Sequence, residues 1–278
     1  MKIKFIIILF CLLIFSSCST NQEKTSEDLS IIVISSDHSV GKNILSFAIL
    51  DNNGNQITNE LEKVLIKNID SGQEEEIDIT YQIWFEGKGA YRSNLNFSQT
   101  GFHELIITLS NTESKAIFNV NKKSLTPEIG AKPPSIKTLS TNINEELYKI
   151  TSDPEPDPDF YNLSYEDSIN NSKPTIILFS TPALCVSGTC GPILYNLKKA
   201  KKKFAEFNYI HVEVYKNFIG KTLKDLDTLE VTEPVLEWGI PTEPWIFFLD
   251  SKGILRSKFE GFMTENEMIY ELNLLRDY

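Results

Sequence analysis

The hydrophobic period of this chain changes character between residues 121 and 158, and that change constrains the fold more than any single residue does. Before it, apolar and polar side chains alternate in seven short runs: Ser30 to Ser35, Asn43 to Leu50, Leu61 to Asn68, Glu76 to Phe85, Ala90 to Phe97, His103 to Leu109 and Lys115 to Val120. A strand sends successive side chains to opposite faces, so alternation marks strands with one face buried. Turn signals divide them, among them Asp51-Asn52-Asn53-Gly54-Asn55, Asp70-Ser71-Gly72 and Gly87-Lys88-Gly89. Short strands at near-regular spacing predict a β-sandwich over residues 30–121. No cysteine pair staples it.

After residue 158 the order becomes β-α-β-β-α. Thr175 to Phe179 is a short apolar run of the kind buried on both faces, Pro192 to Phe207 has a helical period with a basic side, and Tyr209 to Val214 is a second strand. Trp245 to Leu249 and Ile254 to Phe259 flank the hairpin signal Asp250-Ser251-Lys252-Gly253. Thr264 and Glu267 form a capping box that opens a last helix. Between the halves, prolines at 127, 133, 134, 154, 156 and 158 remove ladder donors and keep the backbone extended, so residues 122–159 are expected to be a linker. Two units also suit the length.

The N-terminus reads as a targeting segment. Lys2 and Lys4 precede the apolar stretch Phe5 to Phe15, which is too short for the roughly 20 residues a spanning helix needs. Phe15-Ser16-Ser17-Cys18 resembles the lipobox of bacterial lipoproteins, which implies cleavage after residue 17 and acylation of Cys18. Residues 18–29 are then a polar tether. Losing residues 1–17 removes two lysines and no acid, so a formal charge of -11 becomes -13. Such a chain is a poor ligand for nucleic acid or anionic lipid, which leaves acylated Cys18 as the expected hold on the lipid membrane, on its extracytoplasmic side.

Of four cysteines, Cys11 lies in the apolar leader and Cys18 is the lipid site. Cys185 and Cys190 remain. In an oxidising compartment a close pair is a disulfide, a redox site or a metal site.

The strand Thr175 to Phe179, the loop Ser180-Thr181-Pro182-Ala183-Leu184-Cys185, then Gly191-Pro192, a helix, a strand, Gly239-Ile240-Pro241-Thr242-Glu243-Pro244, a further strand and a terminal helix together resemble the thioredoxin superfamily. The resemblance covers roughly residues 160–278. It implies an α/β thioredoxin-like C-terminal domain with a central mixed sheet and flanking helices. It implies Cys185 and Cys190 as the catalytic pair, no cofactor, and thiols or disulfides of exported proteins as partners. It makes Glu243 and Pro244 the substrate-binding loop, with Pro244 the cis proline and Pro241 the alternative. In the first half, Gly89-Ala90-Tyr91, Leu95-Asn96-Phe97 and Gly101-Phe102-His103-Glu104-Leu105 resemble the last hairpin of immunoglobulin-like exported domains. That implies an all-β, Ig-like sandwich.

The departures set the open questions. Four residues separate the cysteines where the family has two, and Leu178 stands where many thioredoxins carry a buried carboxylate. Distance from the strand favours Cys185 as nucleophile, and the local Cys190-Gly191-Pro192 match favours Cys190; Cys185 is preferred. A static disulfide in an envelope interaction protein is one alternative. A copper chaperone of the Sco type is another, since soft thiolates favour Cu(I) and His211 is the one histidine in this half. His211 alternates with Ile210 and Val212, as a sheet histidine does, so no metal ligand is assigned. His38 and His103 read as surface or packing residues, Trp84 and Phe85 as core, and Lys198 to Lys203 as a solvated helix face.

Overall fold

The computed structural model describes residues 29–58, 60–85 and 87–278. The leader 1–17, Cys18 and the tether up to residue 28 lie outside the described residues.

The alternating runs form strands that pair into two sheets. One contains β1 (Ser30–Val33), β2 (Gly41–Leu50), β7 (Gly89–Phe97) and β6 (Thr80–Ile83) in the order β1-β2-β7-β6, with β3 (Gln56–Ile57) added to β2. The other runs β5 (Glu74–Glu76), β4 (Lys63–Asn68), β8 (Gly101–Leu109), β9 (Thr112–Val120). Every pairing in them is antiparallel. The inward residues Leu45, Phe47, Ile49, Tyr91, Leu105 and Ile107 bury one core between the sheets, as alternating strands demand. The single run expected at Glu76 to Phe85 is two strands, β5 and β6, because Ile77 turns inward between them and its N–H bonds Val64 O.

His38 and His103 are packing residues inside this half. His38 meets Phe118 at 4.8 Å and Ser35 Oγ at 2.8 Å, and His103 meets Phe97 at 5.3 Å. Burial pushes His38 down to about 4, against the pull of Asp37. Trp84 and Phe85 are a correction: they lie outside the sandwich core and pack, tilted and edge-on, against Phe262 of the other half.

The second half is a mixed sheet in the order β11 (Asn208–Val212), β10 (Thr175–Phe179), β12 (Trp245–Leu249), β13 (Leu255–Glu260). β10 and β11 are parallel and the other pairs antiparallel. β10 and β12 are buried on both faces. Ile176, Leu178, Ile246 and Phe248 join one core with the helices α3 (Cys190–Lys201) and α5 (Glu265–Arg276). Ile177, Phe179, Trp245 and Phe247 join the opposite core around Tyr165 of α2 (Tyr165–Ser168) and Trp238, which caps α4 (Glu233–Glu237). Continuous apolar runs are therefore required here, since either face exposed would lose its cover.

The proline-rich stretch is more than a connector. It includes α1 (Leu147–Ile150), and Leu147 is buried in the α3 core. Pro134 O accepts from Trp238 Nε1 at 3.0 Å, and residues 130–131 pair with Leu255. The helix face expected to be solvated is partly occupied by it. Lys198 holds Asp153 at 2.5 Å, and Lys201 holds Asp157 at 2.7 Å and Asp159 at 2.5 Å. The stretch bends at residues 154–155 and enters a 3-10 turn at Pro158–Phe160, a course that brings Asp153, Asp157 and Asp159 to the lysines.

The two cores make one testable statement about stability. Phe248→Ala should destabilise by about 3–5 kcal/mol, because its side chain is fully buried and the sheet on both sides of it cannot collapse into the void. The denaturant midpoint measures it, with an unchanged m-value as the sign that packing alone was lost.

Candidate functional site

β10 delivers the chain to its carboxyl end, where Ser180 N–H bonds Val212 O and the loop 180–189 begins. The loop crosses to α3, and Cys185 and Cys190 are joined in a disulfide with Cα atoms 5.9 Å apart. The crossing needs a left-handed residue. Gly188 supplies it at φ 69°.

The two sulfurs stand in different surroundings. Cys190 is the first residue of α3 and is fully buried. Cys185 is half-buried, its Sγ accepts from Cys190 N–H at 3.3 Å, and Ser187 Oγ lies at 3.3 Å. Pro192 sits in the first turn, where an N–H would have no helical acceptor. The unpaired amides of that turn and the helix dipole favour negative charge on Cys185.

Glu243 and Pro244 lie in the loop before β12, and their peptide bond is cis. Pro244 O accepts from Gly261 N–H at 2.8 Å. The Glu243 carboxyl takes hydrogen bonds from Thr181, backbone and side chain, so this loop meets the start of the cysteine loop. Its Oε2 is buried without a hydrogen-bond partner among the described residues.

Glu213 converges on the same hydroxyl. It follows β11, is 5% exposed, and accepts from Ser152 N–H at 2.7 Å and Ser152 Oγ at 3.2 Å as well as from Thr181. Ser152 Oγ in turn accepts from Ala183 N–H at 3.2 Å, within the cysteine loop. Burial pushes both carboxyls up to about 7, and the charge of Glu213 raises Glu243 further. One hydroxyl has one proton to give. Thr181 Oγ1 already accepts from Val214 N–H at 3.3 Å, so a protonated partner completes the cluster: Thr181 donates to one carboxylate and accepts from the other's O–H. The pair titrates as a unit.

His211 lies beneath this cluster, wholly enclosed. Nε2 is 3.0 Å from Ser180 O, which can only accept, so Nε2 carries the proton. Nδ1 is left as acceptor beside Tyr161 Oη at 2.9 Å and Thr151 Oγ1 at 3.3 Å. Burial pushes the imidazole down to about 4. Both nitrogens are engaged within the fold, which is the sheet-histidine arrangement rather than that of a ligand held open. Among the described residues, no group of three or more histidine, cysteine, aspartate or glutamate side chains could hold a metal ion.

Glu213 was not among the residues the sequence singled out. The signal was there: one acid between Val212 and Val214, in a run whose neighbours are all buried. Alternation from His211 puts it on the α3 side of the sheet, the face that carries Leu178. Leu178 pairs with His211, so Glu213 stands two residues beyond Leu178's neighbour on the next strand.

No family model matches the chain, and no curated protein matches it. Several solved structures are similar to it in part. A thiol:disulfide interchange protein of the thioredoxin family from Chlorobium tepidum TLS is 12% identical, with a TM-score of 0.34, over 54% of this chain and 98% of that one. The pneumococcal exposed lipoprotein thioredoxin from Streptococcus pneumoniae strain TIGR4 is 18% identical, with a TM-score of 0.25, over 37% and 86%. The Lin-41 filamin domain is 14% identical, with a TM-score of 0.26, over 35% and 95%.

The buried acids and histidine act on stability with opposite signs. A carboxyl whose folded pKa is raised from 4.5 to about 7 contributes fully below pH 4.5, and its contribution is lost as pH rises through about 7. A histidine lowered from 6.5 to about 4 contributes above pH 6.5, and that is lost as pH falls towards about 4. Glu213→Gln, neutral throughout, should therefore gain about 1–3 kcal/mol relative to wild type between pH 5 and pH 8. Urea melts across that range would show the stability optimum moving to higher pH. A parallel pair of curves would mean that Glu213 is ionised in the folded protein throughout.

Proposed function

We propose that this chain is a lipid-anchored extracytoplasmic protein with a thioredoxin-like half, which exchanges disulfides with exported protein partners through Cys185 and Cys190. The observation that carries the reading is the asymmetry of the pair. Cys185 is reachable and sits under the first amides of α3, and Cys190 is sealed beneath it. A reactive sulfur needs access and a stabilised thiolate, and a resolving sulfur needs only its neighbour. This assignment supports Cys185 as nucleophile.

In the reducing direction, the Cys185 thiolate attacks a partner disulfide. One partner sulfur leaves as a thiolate and takes a proton, and a mixed disulfide joins Cys185 to the other. Cys190 loses its proton, attacks Cys185 Sγ, and releases the second partner sulfur. Two electrons and two protons pass from the cysteine pair to the partner, and the reverse sequence oxidises a partner dithiol. Glu243 and Pro244, on the loop that meets Thr181, would border the incoming chain. The Ig-like half is proposed to hold the site away from the membrane, with acylated Cys18 as the anchor.

Single-cysteine variants separate the roles. Cys190→Ser should accumulate a mixed disulfide with a model peptide disulfide, stable to gel analysis without reductant, and Cys185→Ser should accumulate none. The same yield from both would remove the assigned order of attack. A wild-type pair that no thiol buffer cycles between dithiol and disulfide would be a static bridge. In cells, Cys18→Ser should move the protein from the membrane fraction to the soluble fraction, since the proposed anchor is the lipid alone.

A further inference from the structure

The loop that carries Glu243 and Pro244 runs from Gly239 to Pro244, and both of its ends are tied to two adjacent residues of the N-terminal sandwich. Ser36 reaches one end. Its N–H and its Oγ each donate to the Glu260 carboxylate, both at 2.6 Å, at the last residue of β13. The same carboxylate accepts from Thr242 Oγ1, at 2.5 Å, and that hydroxyl takes Trp245 Nε1–H at 3.2 Å.

Asp37 reaches the other end. Its side chain is wholly buried and accepts from Leu125 N–H at 2.8 Å, Thr126 N–H at 3.0 Å and Thr126 Oγ1 at 2.7 Å. Ser124 Oγ donates to it as well, and Lys258 Nζ of β13 lies at 3.4 Å. Burial pushes this carboxyl up, yet the donors outweigh it and hold it below its ordinary range. Leu125, so fixed, presses its carbonyl on Gly239. That residue is left-handed at φ 61°, and a Cβ added there would stand 2.3 Å from Leu125 O. Only glycine fits both the backbone and the contact.

We infer that the sandwich is a positioning element for the Gly239–Pro244 loop, with Ser36, Asp37 and Glu260 as positioning residues that set the site's discrimination for extended peptide over small disulfides. The inference rests on the exchange reading above. A small disulfide needs only the sulfurs, whereas a peptide must also lie along the loop, so loosening the loop costs the peptide alone. Tying both ends from one two-residue segment fixes the loop's position and tilt together, which neither contact does singly.

Two probes read this out. The first is a short unstructured peptide with one cysteine held as its glutathione mixed disulfide; the second is glutathione disulfide. In single turnovers the reduced protein becomes the disulfide, and the probe yields peptide thiol and glutathione, or two glutathiones. Asp37→Ala and Glu260→Ala should slow the peptide reaction by about tenfold, the scale of a small misplacement of a bound group, and change the glutathione disulfide reaction by less than about twofold. Glu260→Gln keeps a carbonyl acceptor for Ser36 and Thr242 and should restore most of the peptide rate. Ser36→Ala removes one exposed hydroxyl, threatens the fold least, and should give a smaller loss of the same selective kind. Equal slowing with both probes, or no slowing in Ser36→Ala and Glu260→Ala alike, would overturn the inference. A wild-type protein that reacts with neither probe would instead remove the exchange reading beneath it.

Discussion

The carboxyl end of β10 is the place on which the rest of this molecule depends. A strand buried on both faces must satisfy its last backbone groups and turn the chain without water, and here it does so at Ser180 and Thr181, neither of them exposed. Ser180 bonds Val212 and His211, and Thr181 bonds Val214, Glu213 and Glu243. Those bonds tie the cysteine loop to β11 on one side and to the Pro244 loop on the other. In a buried polar cluster of this kind the cost falls on any atom left without a partner, which here, among the described residues, is Glu243 Oε2. Burial, opposed by these hydrogen bonds, holds both glutamates up near 7.

What the sequence disclosed follows from which interactions are local. Thr175–Phe179 and Trp245–Leu249 are legible to the residue, because a five-residue run rich in β-branched and aromatic side chains is too short for a helix and suits a doubly covered strand. The capping box at Thr264 and Glu267 is a contact three residues long and could be read directly. The proline-rich stretch could not. Its prolines rule out a ladder, but whether extended chain floats or docks depends on Lys198 and Lys201 some forty residues away. Trp84 and Phe85 show the same limit. Aromatic residues on an alternating run announce burial, and nothing local says that the cover is Phe262 from the other half.

The same distinction governs the site. Cys185 and Cys190 stand out by elimination among four cysteines, and their chemistry needs only their neighbours. Which sulfur is reachable is set by where α3 starts, and the Pro192-based reading put that start two residues too late. Beginning at Cys190, the helix buries that sulfur and aims its first amide at the other. The ambiguity between strand distance and the Cys-Gly-Pro match is thus one of helix boundary, a quantity that sequence patterns resolve to within a few residues only.

Arg92 shows how firmly the halves are joined. It is 7% exposed, pairs with Glu267 at 2.7 Å, bonds Gln82 Oε1 at 2.6 Å, and donates to Phe262 O. Glu267 is also the capping residue of α5, so the charge that closes the helix start closes the seam. Taking Glu267 away would leave the Arg92 charge buried with only neutral acceptors, a cost well above what an exposed pair contributes. A contact with that penalty favours one relative placement of the halves over a hinge. With Arg92 and Asp37 both buried where the halves meet, a sandwich that only spaced the site from a membrane would have no need of either. Their burial argues that the orientation itself is what the seam preserves.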